Sequence, residues 1–569
     1  MRVTLSKTKN AEHVYISKAY RNEKGKSTSK IYKKLGTMEE LLPEHDGDRE
    51  KVLEWAREQA RIYTELEKSE KLTVSLDLSE TRQLTMDEMT LFDGGYLFLK
   101  KLFHEAGIDA ACDAAEKNRK FEFRLSEVLA NLIYARILSP SSKLSSYEYM
   151  QSLIEQPGFQ LHDIYRALDA IDDESDTIQA LIYKKNRSSR NTSVLYYDCT
   201  NFFFEIEEEN GIRKYGKSKE HRPNPIVQLG LFLDGDGIPL AFTVFSGNEN
   251  EQPTLIPLEE KILKDYDLSK FIVCTDAGLA SYANRKFNNR GDRSFVVTQP
   301  LKSLPSHIRE WALSPDGFRL GGSDTEYNIS EIDEEVHRNS VFYKERWINE
   351  KGLEQRLIVS YSVKHKNYQR EIRRRQVERA RKIVEGGRKK TVNLNSPSRF
   401  ITEIQTTIEG EIAEKCSRSL DTDRISSEEM YDGFYAVCTT LEDEVGTILK
   451  INRRRWEIEE SFRIMKSEFR ARPVYVHKDS RIRAHFMTCF LSLMVFRLLE
   501  KKLDEKYTVS EIIATLQGMK FQKIRGVGYI PCYTRTEITD ALHDAFGFRT
   551  DKQLITDKKM KEIIRSTKK

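Results

Sequence analysis

No two cysteines in this chain stand in a Cys-x-x-Cys pair. The seven cysteines are scattered at 112, 199, 274, 416, 438, 489 and 532. That spacing supports neither a zinc ribbon nor a disulfide framework, and it reads as ordinary buried thiols in a reducing compartment. A Gly-x4-Gly-Lys-Ser/Thr loop is also missing, so a nucleotide-driven motor or helicase is unsupported, and Gly321-Gly322-Ser323 is too short for a phosphate cradle. The opening residues, Met1-Arg-Val-Thr-Leu-Ser-Lys-Thr-Lys9, lack an apolar signal segment. The longest apolar run, Phe486 to Phe496, is too short to span a bilayer and ends at Arg497. A soluble cytoplasmic protein is expected. Charge of one sign is scarce overall, with a formal net of only +4.

What is present is length, aromatic content and local charge. A chain of 569 residues exceeds one ordinary core and is expected to divide into three or four domains. Its 39% hydrophobic and 10% aromatic content is that of a globular protein. Basic residues concentrate locally: twelve Lys or Arg against three Glu from Lys364 to Lys390, and seven more from Arg453 to Arg472. Such patches can hold a polyanion, or can be solvated helix faces.

Residues 1–95 read as a mixed region with a helix near Arg49–Glu67. Residues 96–190 read as a helical domain, because Leu125, Val128, Leu129, Leu132 and Ile133 recur at helical spacing. That block suits a scaffold or a DNA-binding module. From Ser193 the pattern becomes strand-like: Val194–Thr200 continued by Asn201–Glu205, then Ile226–Leu233, Pro239–Phe245, Phe271–Thr275 and Arg293–Val297, with helices at 253–266 and 281–288. The result is an α/β sheet with helices against it. Residues 301–445 interrupt this with β-leaning stretches, a basic helix at 364–386 and a strand at Phe434–Cys438; the tail, 501–569, is charged and weakly patterned.

A single helix over 447–469 carries the most informative pattern. At 100° per residue, Arg455, Glu459 and Lys466 fall within about 40° of one another, beside an apolar stripe of Ile458, Phe462, Met465 and Phe469. Trp456 lies off that face. Asp198 and Asp276 stand at or near the C-terminal ends of two expected central strands. Three carboxylates from separate elements can hold two divalent ions in an oxygen shell, although each one also suits a cap or a turn. Arg455 could clamp a phosphate with its rigid fork, and Lys466 could act as a flexible point charge. Lys219 and Arg222, in the loop Gly216-Lys-Ser-Lys219 with His221-Arg222, could contact phosphates or form a solvated hairpin. His485 reads as a packing or cap residue.

These residues resemble the DDE transposases of bacterial and archaeal insertion sequences. Tyr196-Tyr-Asp198-Cys-Thr-Asn is similar to the first-aspartate strand, and Tyr215-Gly-Lys-Ser-Lys-Glu-His-Arg through Phe245-Ser-Gly-Asn248 to the next two strands. Cys274-Thr-Asp276-Ala-Gly is similar to the second-aspartate motif. Arg455, Glu459 and Lys466 match the Tyr-x2-Arg-x3-Glu-x6-Lys signature, with Asn452 where the family usually has tyrosine. The resemblance implies an RNase H-like catalytic core, a mixed five-stranded sheet split into 191–300 and 446–500 by a β-rich insertion. It implies Asp198, Asp276 and Glu459 as catalytic metal ligands for Mg²⁺ or Mn²⁺, two ions to a site. Asn452, Arg455, Trp456, Lys466, Lys219 and Arg222 are then expected at the DNA. Its implied partners are double-stranded DNA, as transposon ends and target, and a second copy of the chain. The protein would be nucleoid-associated when bound. A metal-dependent nuclease, or a domesticated DNA-binding relative, is the alternative.

Overall fold

The computed structural model describes residues 1–7, 11–21, 27–69, 83, 85–86, 88–117, 121–386, 396–406 and 415–568. The last part of the basic stretch, 387–390, lies outside them. The chain forms two compact units, Met1–Glu88 and Met89–Lys569.

In the first unit an antiparallel sheet of β1 (Arg2–Lys7), β2 (Glu12–Arg21) and β3 (Ser27–Thr37) has β2 in the middle. A single turn, α1 (Met38–Leu41), leads to α2 (Arg49–Ser69), the helix expected near that position. Val14, Met38, Leu41, Val52 and Ala56 form its small core. The strands were not expected; their alternation is too interrupted by lysine and serine to register as a period of two.

The second unit opens on β4 (Leu91–Asp93) and a helical block: α3 (Tyr96–Glu105), α4 (Ile108–Glu116), α5 (Leu125–Leu138), α6 (Lys143–Gln151), α7 (Leu161–Asp173) and α8 (Ser175–Asn186). Then come β5 (Val194–Phe203), β6 (Ile226–Leu233), β7 (Pro239–Ser246), α9 (Leu255–Asp265), β8 (Ile272–Thr275), α10 (Tyr282–Phe287) and β9 (Ser294–Thr298). These match the expected strands and helices to within about two residues at their ends. They are followed by α11 (Ser306–Leu313), β10 (Phe318–Leu320), β11 (Glu326–Tyr327), β12 (Val341–Glu350), β13 (Leu353–Ser362), the basic α12 (Val363–Glu385), the hairpin β14 (Ile401–Thr406) and β15 (Lys415–Leu420), α13 (Thr422–Glu429) and β16 (Phe434–Thr439).

The central sheet is mixed and has ten strands, in the order β11-β10-β12-β13-β16-β9-β8-β5-β6-β7. The five strands β9-β8-β5-β6-β7 are the expected α/β core, with β5, β8 and β9 parallel and β6 and β7 antiparallel. The strands from 318–362 and 434–439 pair onto β9 and lengthen this same sheet. This is an RNase H-like core with flanking helices and an insertion.

After β16 come α14 (Val445–Arg453), α15 (Trp456–Arg463) and the 24-residue α16 (Asp479–Lys502). Helix α16 is long and apolar enough to cross a membrane, but it is buried inside the fold. Phe486 meets Phe202 of β5, and Phe490 meets Phe242 of β7, each with ring centroids 4.8 Å apart. On the sheet's other face Leu255, Leu258 and Ile262 of α9 pack on Tyr197 and Phe232. The tail is a folded body rather than a weakly structured one: α17 (Val509–Gly518), β17 (Lys520–Ile524), β18 (Gly528–Pro531), α18 (Glu537–Phe546), β19 (Ile555–Thr556) and α19 (Asp557–Ser566). Strand β17 pairs with β4, some 430 positions earlier, a partner that no local pattern reveals.

Candidate active site at the ends of β5 and β8

Strands β5 and β8 run parallel, with Tyr196 opposite Cys274. Asp198 stands two residues further along β5, and Asp276 is the first residue past the end of β8, near enough to Asp198 to raise its pKa. Side chains alternate across a sheet, and Tyr196, Phe202 and Cys274 pack in the cluster that includes Ile458 and Phe462 of α15. Asp198 and Asp276 therefore face the α15 side. Asp276 begins a turn, its Oδ1 accepting from Leu279 N at 3.0 Å. Gly278 leaves room beside it; a Cβ there would stand 3.3 Å from that oxygen.

Burial pushes the Asp198 carboxyl up to about 7; Lys219 opposes this, the neighbouring Asp276 adds to it, and the Cys199 amide and Arg455 oppose it. Two adjacent carboxylates in a half-buried position are a place that favours cations. Lys219 supplies one: its ammonium donates to Cys199 O and pairs with Glu251 at 3.1 Å. Burial works against that charge, but Asp198 and Glu251 hold it above the ordinary lysine range.

The expected single helix over 447–469 is two helices and a wider turn. Helix α14 ends at Arg453, Arg454 and Arg455 form a turn, α15 runs from Trp456 to Arg463, and Ile464–Glu468 is a π-helical turn. A π turn holds more residues than an α turn, so the phase expected of Lys466 is lost. Arg455 and Glu459 do meet, with Nη2 3.8 Å from Oε1. The Lys466 ammonium lies 3.6 Å from Glu220 and over the Phe202 ring at 5.4 Å. Burial lowers its pKa to about 8, with Lys219 adding and Asp198 opposing.

Arg455 is the joint of the site. Its charge reaches Asp198 and Cys274 on one side while it pairs with Glu459 on the other. Its Nε is buried without a partner, a donor left for an anion. Glu459 itself is 63% exposed at the side chain and opens, with Trp456, His365 and Tyr435, into a cleft of about 360 Å³. Trp456 is 60% exposed.

The other expected contacts divide. Asn452 is buried at the wall of the same cleft, its Nδ2 donating to the Tyr435 hydroxyl at 3.0 Å, so it braces α14 on the sheet. Arg222 stacks over Phe203 at 4.2 Å while remaining exposed. His485 is buried, with Nε2 2.9 Å from Ala471 O, and is a packing residue. Glu220 was not singled out from the sequence, yet it pairs with both Arg472 and Lys466. Its place inside the Lys219–Arg222 motif was the one signal for it.

The three carboxylates are not drawn into one compact trio. Among the described residues, the group whose ligand atoms all lie within 4.8 Å is Asp540, His543 and Asp551. That trio is close enough to hold an ion, but Arg549 already bonds both aspartates at 2.7 Å, and Thr550 N donates to His543 Nε2 at 3.1 Å. Guanidinium charge fills the role there that a cation would take.

A family model described as "Transposase DDE domain" matches residues 192–495. Among solved structures, the piggyBac transposase synaptic complex with hairpin DNA aligns at 9% identity over 74% of this chain and 79% of that chain, with a TM-score of 0.35. The Mos1 transposase paired-end complex with left transposon end aligns at 14% identity over 44% and 68%, with a TM-score of 0.13. Scores this low carry no argument for this chain. No curated protein sequence matches it.

Proposed function

Since the chain belongs to the transposase DDE-domain family, which matches it across both halves of the site, we propose that it cleaves DNA at the ends of a mobile element and joins the freed 3′ ends to target DNA. The observation that supports this reading is that Asp198 on β5 feels the charge of both Asp276, just past the end of the neighbouring parallel strand β8, and Arg455. Asp198, Asp276 and Glu459 would hold divalent cations, Mg²⁺ or Mn²⁺. The donor set fits, being all carboxylate oxygen, with Asp276 adding negative charge beside Asp198. When bound, such ions supply Lewis acidity for attack on phosphorus.

The chain's own residues supply the rest. Arg455 would clamp a phosphate with its guanidinium fork, releasing Glu459 toward the aspartates as DNA enters. Lys219 and Lys466, whose charges act on Asp198, would meet a further phosphate of the same strand. Arg222 and Trp456 are exposed at the rim and can meet the sugar-phosphate chain. The acting form would be a dimer on paired ends.

The test uses a supercoiled donor plasmid carrying the element's ends, a target plasmid and Mg²⁺. The wild-type protein should give joined products. Asp198→Asn and Glu459→Gln should each lower both cleavage and joining by at least about a hundredfold, the lower range for removing a preorganised charged group. Nicked or linear DNA without joining would establish a nuclease instead. DNA binding with no breakage in any metal would establish a non-transposing relative.

A further inference from the structure

The three-stranded sheet of the first unit has one covered face and one open face. Helix α2 covers the side carrying Val3, Val14 and Leu35. On the other side the registers give two cross-strand rows, Arg2–Ser17–Ile31 and Thr4–Tyr15–Lys34. The 2.6 Å contact between the Thr4 and Ser17 hydroxyls confirms that these rows share a face. Arg2, Thr4, Ile31 and Lys34 are exposed, Ile31 at 62%.

Charge on this segment is one-sided. Residues 1–37 hold ten Lys or Arg against two Glu. Glu12 belongs to the covered side by strand alternation and is held by Arg49 of α2 at 3.0 Å; Glu23 lies outside the described residues. Among the described strand residues of the open face none is a carboxylate, although Glu40 of α1 acts on Lys34 and His13. The face carries an arginine on one outer strand, a lysine on the other, and hydroxyls with an aromatic ring between them.

We propose that this open face is a docking surface for duplex DNA that enters the major groove. The dimensions agree: the outer strands are about 10 Å apart, against a groove about 12 Å wide. Arg2 on β1 and Lys34 on β3 then reach the phosphates on the two sides of the groove. Thr4 and Tyr15 lie over base edges, where hydroxyls both donate and accept, the buried Ser17 holds the Thr4 hydroxyl from beneath, and Ile31 suits a thymine methyl. The inference rests on DNA being the substrate, and it gives the first unit the task of holding that DNA by sequence.

The full-length protein, in chelator so that no strand is cut, is titrated onto a mixed-sequence 30-bp duplex over a range of salt. Arg2→Gln with Lys34→Gln should weaken binding and flatten the slope of log K against log salt by about 1.8, two phosphates at about 0.9 each. Lys30→Gln, on the covered side, should change the slope by less than half as much, and Arg2→Lys with Lys34→Arg should restore it. Methyl green, a major-groove ligand, should compete; netropsin, a minor-groove ligand, should not. A double variant with wild-type slope, affinity and melting temperature, or competition by netropsin instead of methyl green, would overturn the proposal. Plasmid breakage is read separately. Binding through this face without breakage fails only the catalytic reading, while breakage with a silent double variant fails only this one.

Discussion

Individual side chains in this protein are tuned mainly by burial. Lys143 of α6 is buried, and burial, helped by Arg136 and opposed by Cys489, brings its pKa down to about 7. In the unfolded chain a lysine titrates near 10.4. Between about pH 7 and 10 the unfolded state therefore binds a proton that the folded state lacks, and stability rises with pH across that window. Thermal melts of the wild type should climb from pH 7 toward pH 10. Lys143→Met should melt higher at pH 7 and show a flatter profile; parallel curves would show that the lysine finds a counter-charge. Neither this lysine nor the about-7 carboxyl of Asp198 was legible in the sequence, where both are single polar residues beside apolar ones. Their environment is made largely by other segments of the chain: Asp198 by Lys219, Asp276 and the distant Arg455, and Lys143 by Arg136 and the distant Cys489.

Among the elements, the sheet was read well and the key helix was not. Strands β5, β6 and β8 are apolar runs bounded by polar or turn residues, so their limits are local facts. The break at Arg454–Arg455 and the π turn after Arg463 have no local mark, since no proline or glycine lies between Thr447 and Phe469. Contacts decide them: Asn452 is fixed to Tyr435, and Arg454 pairs with Glu457 at 2.9 Å. The basic helix α12 shows the same rule. Arg373 turns inward and forms a two-pronged pair with Asp432 just before β16, one arm at 2.7 Å, with both residues buried. Asp432→Ala should cost about 3 kcal/mol, the lower end for breaking a buried pair, because Glu429, 3.6 Å from Arg373, remains as a weaker counter-charge. Arg373→Met with Asp432→Leu should recover most of the loss. Urea unfolding measures both, and a single variant within 1 kcal/mol of wild type, by the usual surface range, would show the pair to be dispensable.

At the scale of the molecule, residues 299–433 add four strands to the sheet that carries the two aspartates, and β13 covers the free side of β16 along six register pairs. Phe318, Phe342, Leu357 and Val359 share one core with Phe295 and Val297 of β9. Replacing 299–433 by a short linker should therefore expose an apolar edge and yield aggregated protein. Soluble fraction and size-exclusion profile would check this, and a soluble monodisperse product with native melting would refute it.

The amino-acid sequence by itself determined the α/β class, the positions of the core strands and the residues that resemble a transposase, because apolar period and motif spacing are properties of neighbouring residues. Tertiary structure alone decided that Asp276 acts on Asp198, that Arg455 acts on Asp198 while pairing with Glu459, that Lys466 turns to Glu220, and that Asn452 bonds Tyr435. It also decided that the charged tail folds onto β4. Those outcomes depend on which distant segments share a face, and on how far burial shifts a charge. Neither quantity is carried by any local stretch of the chain.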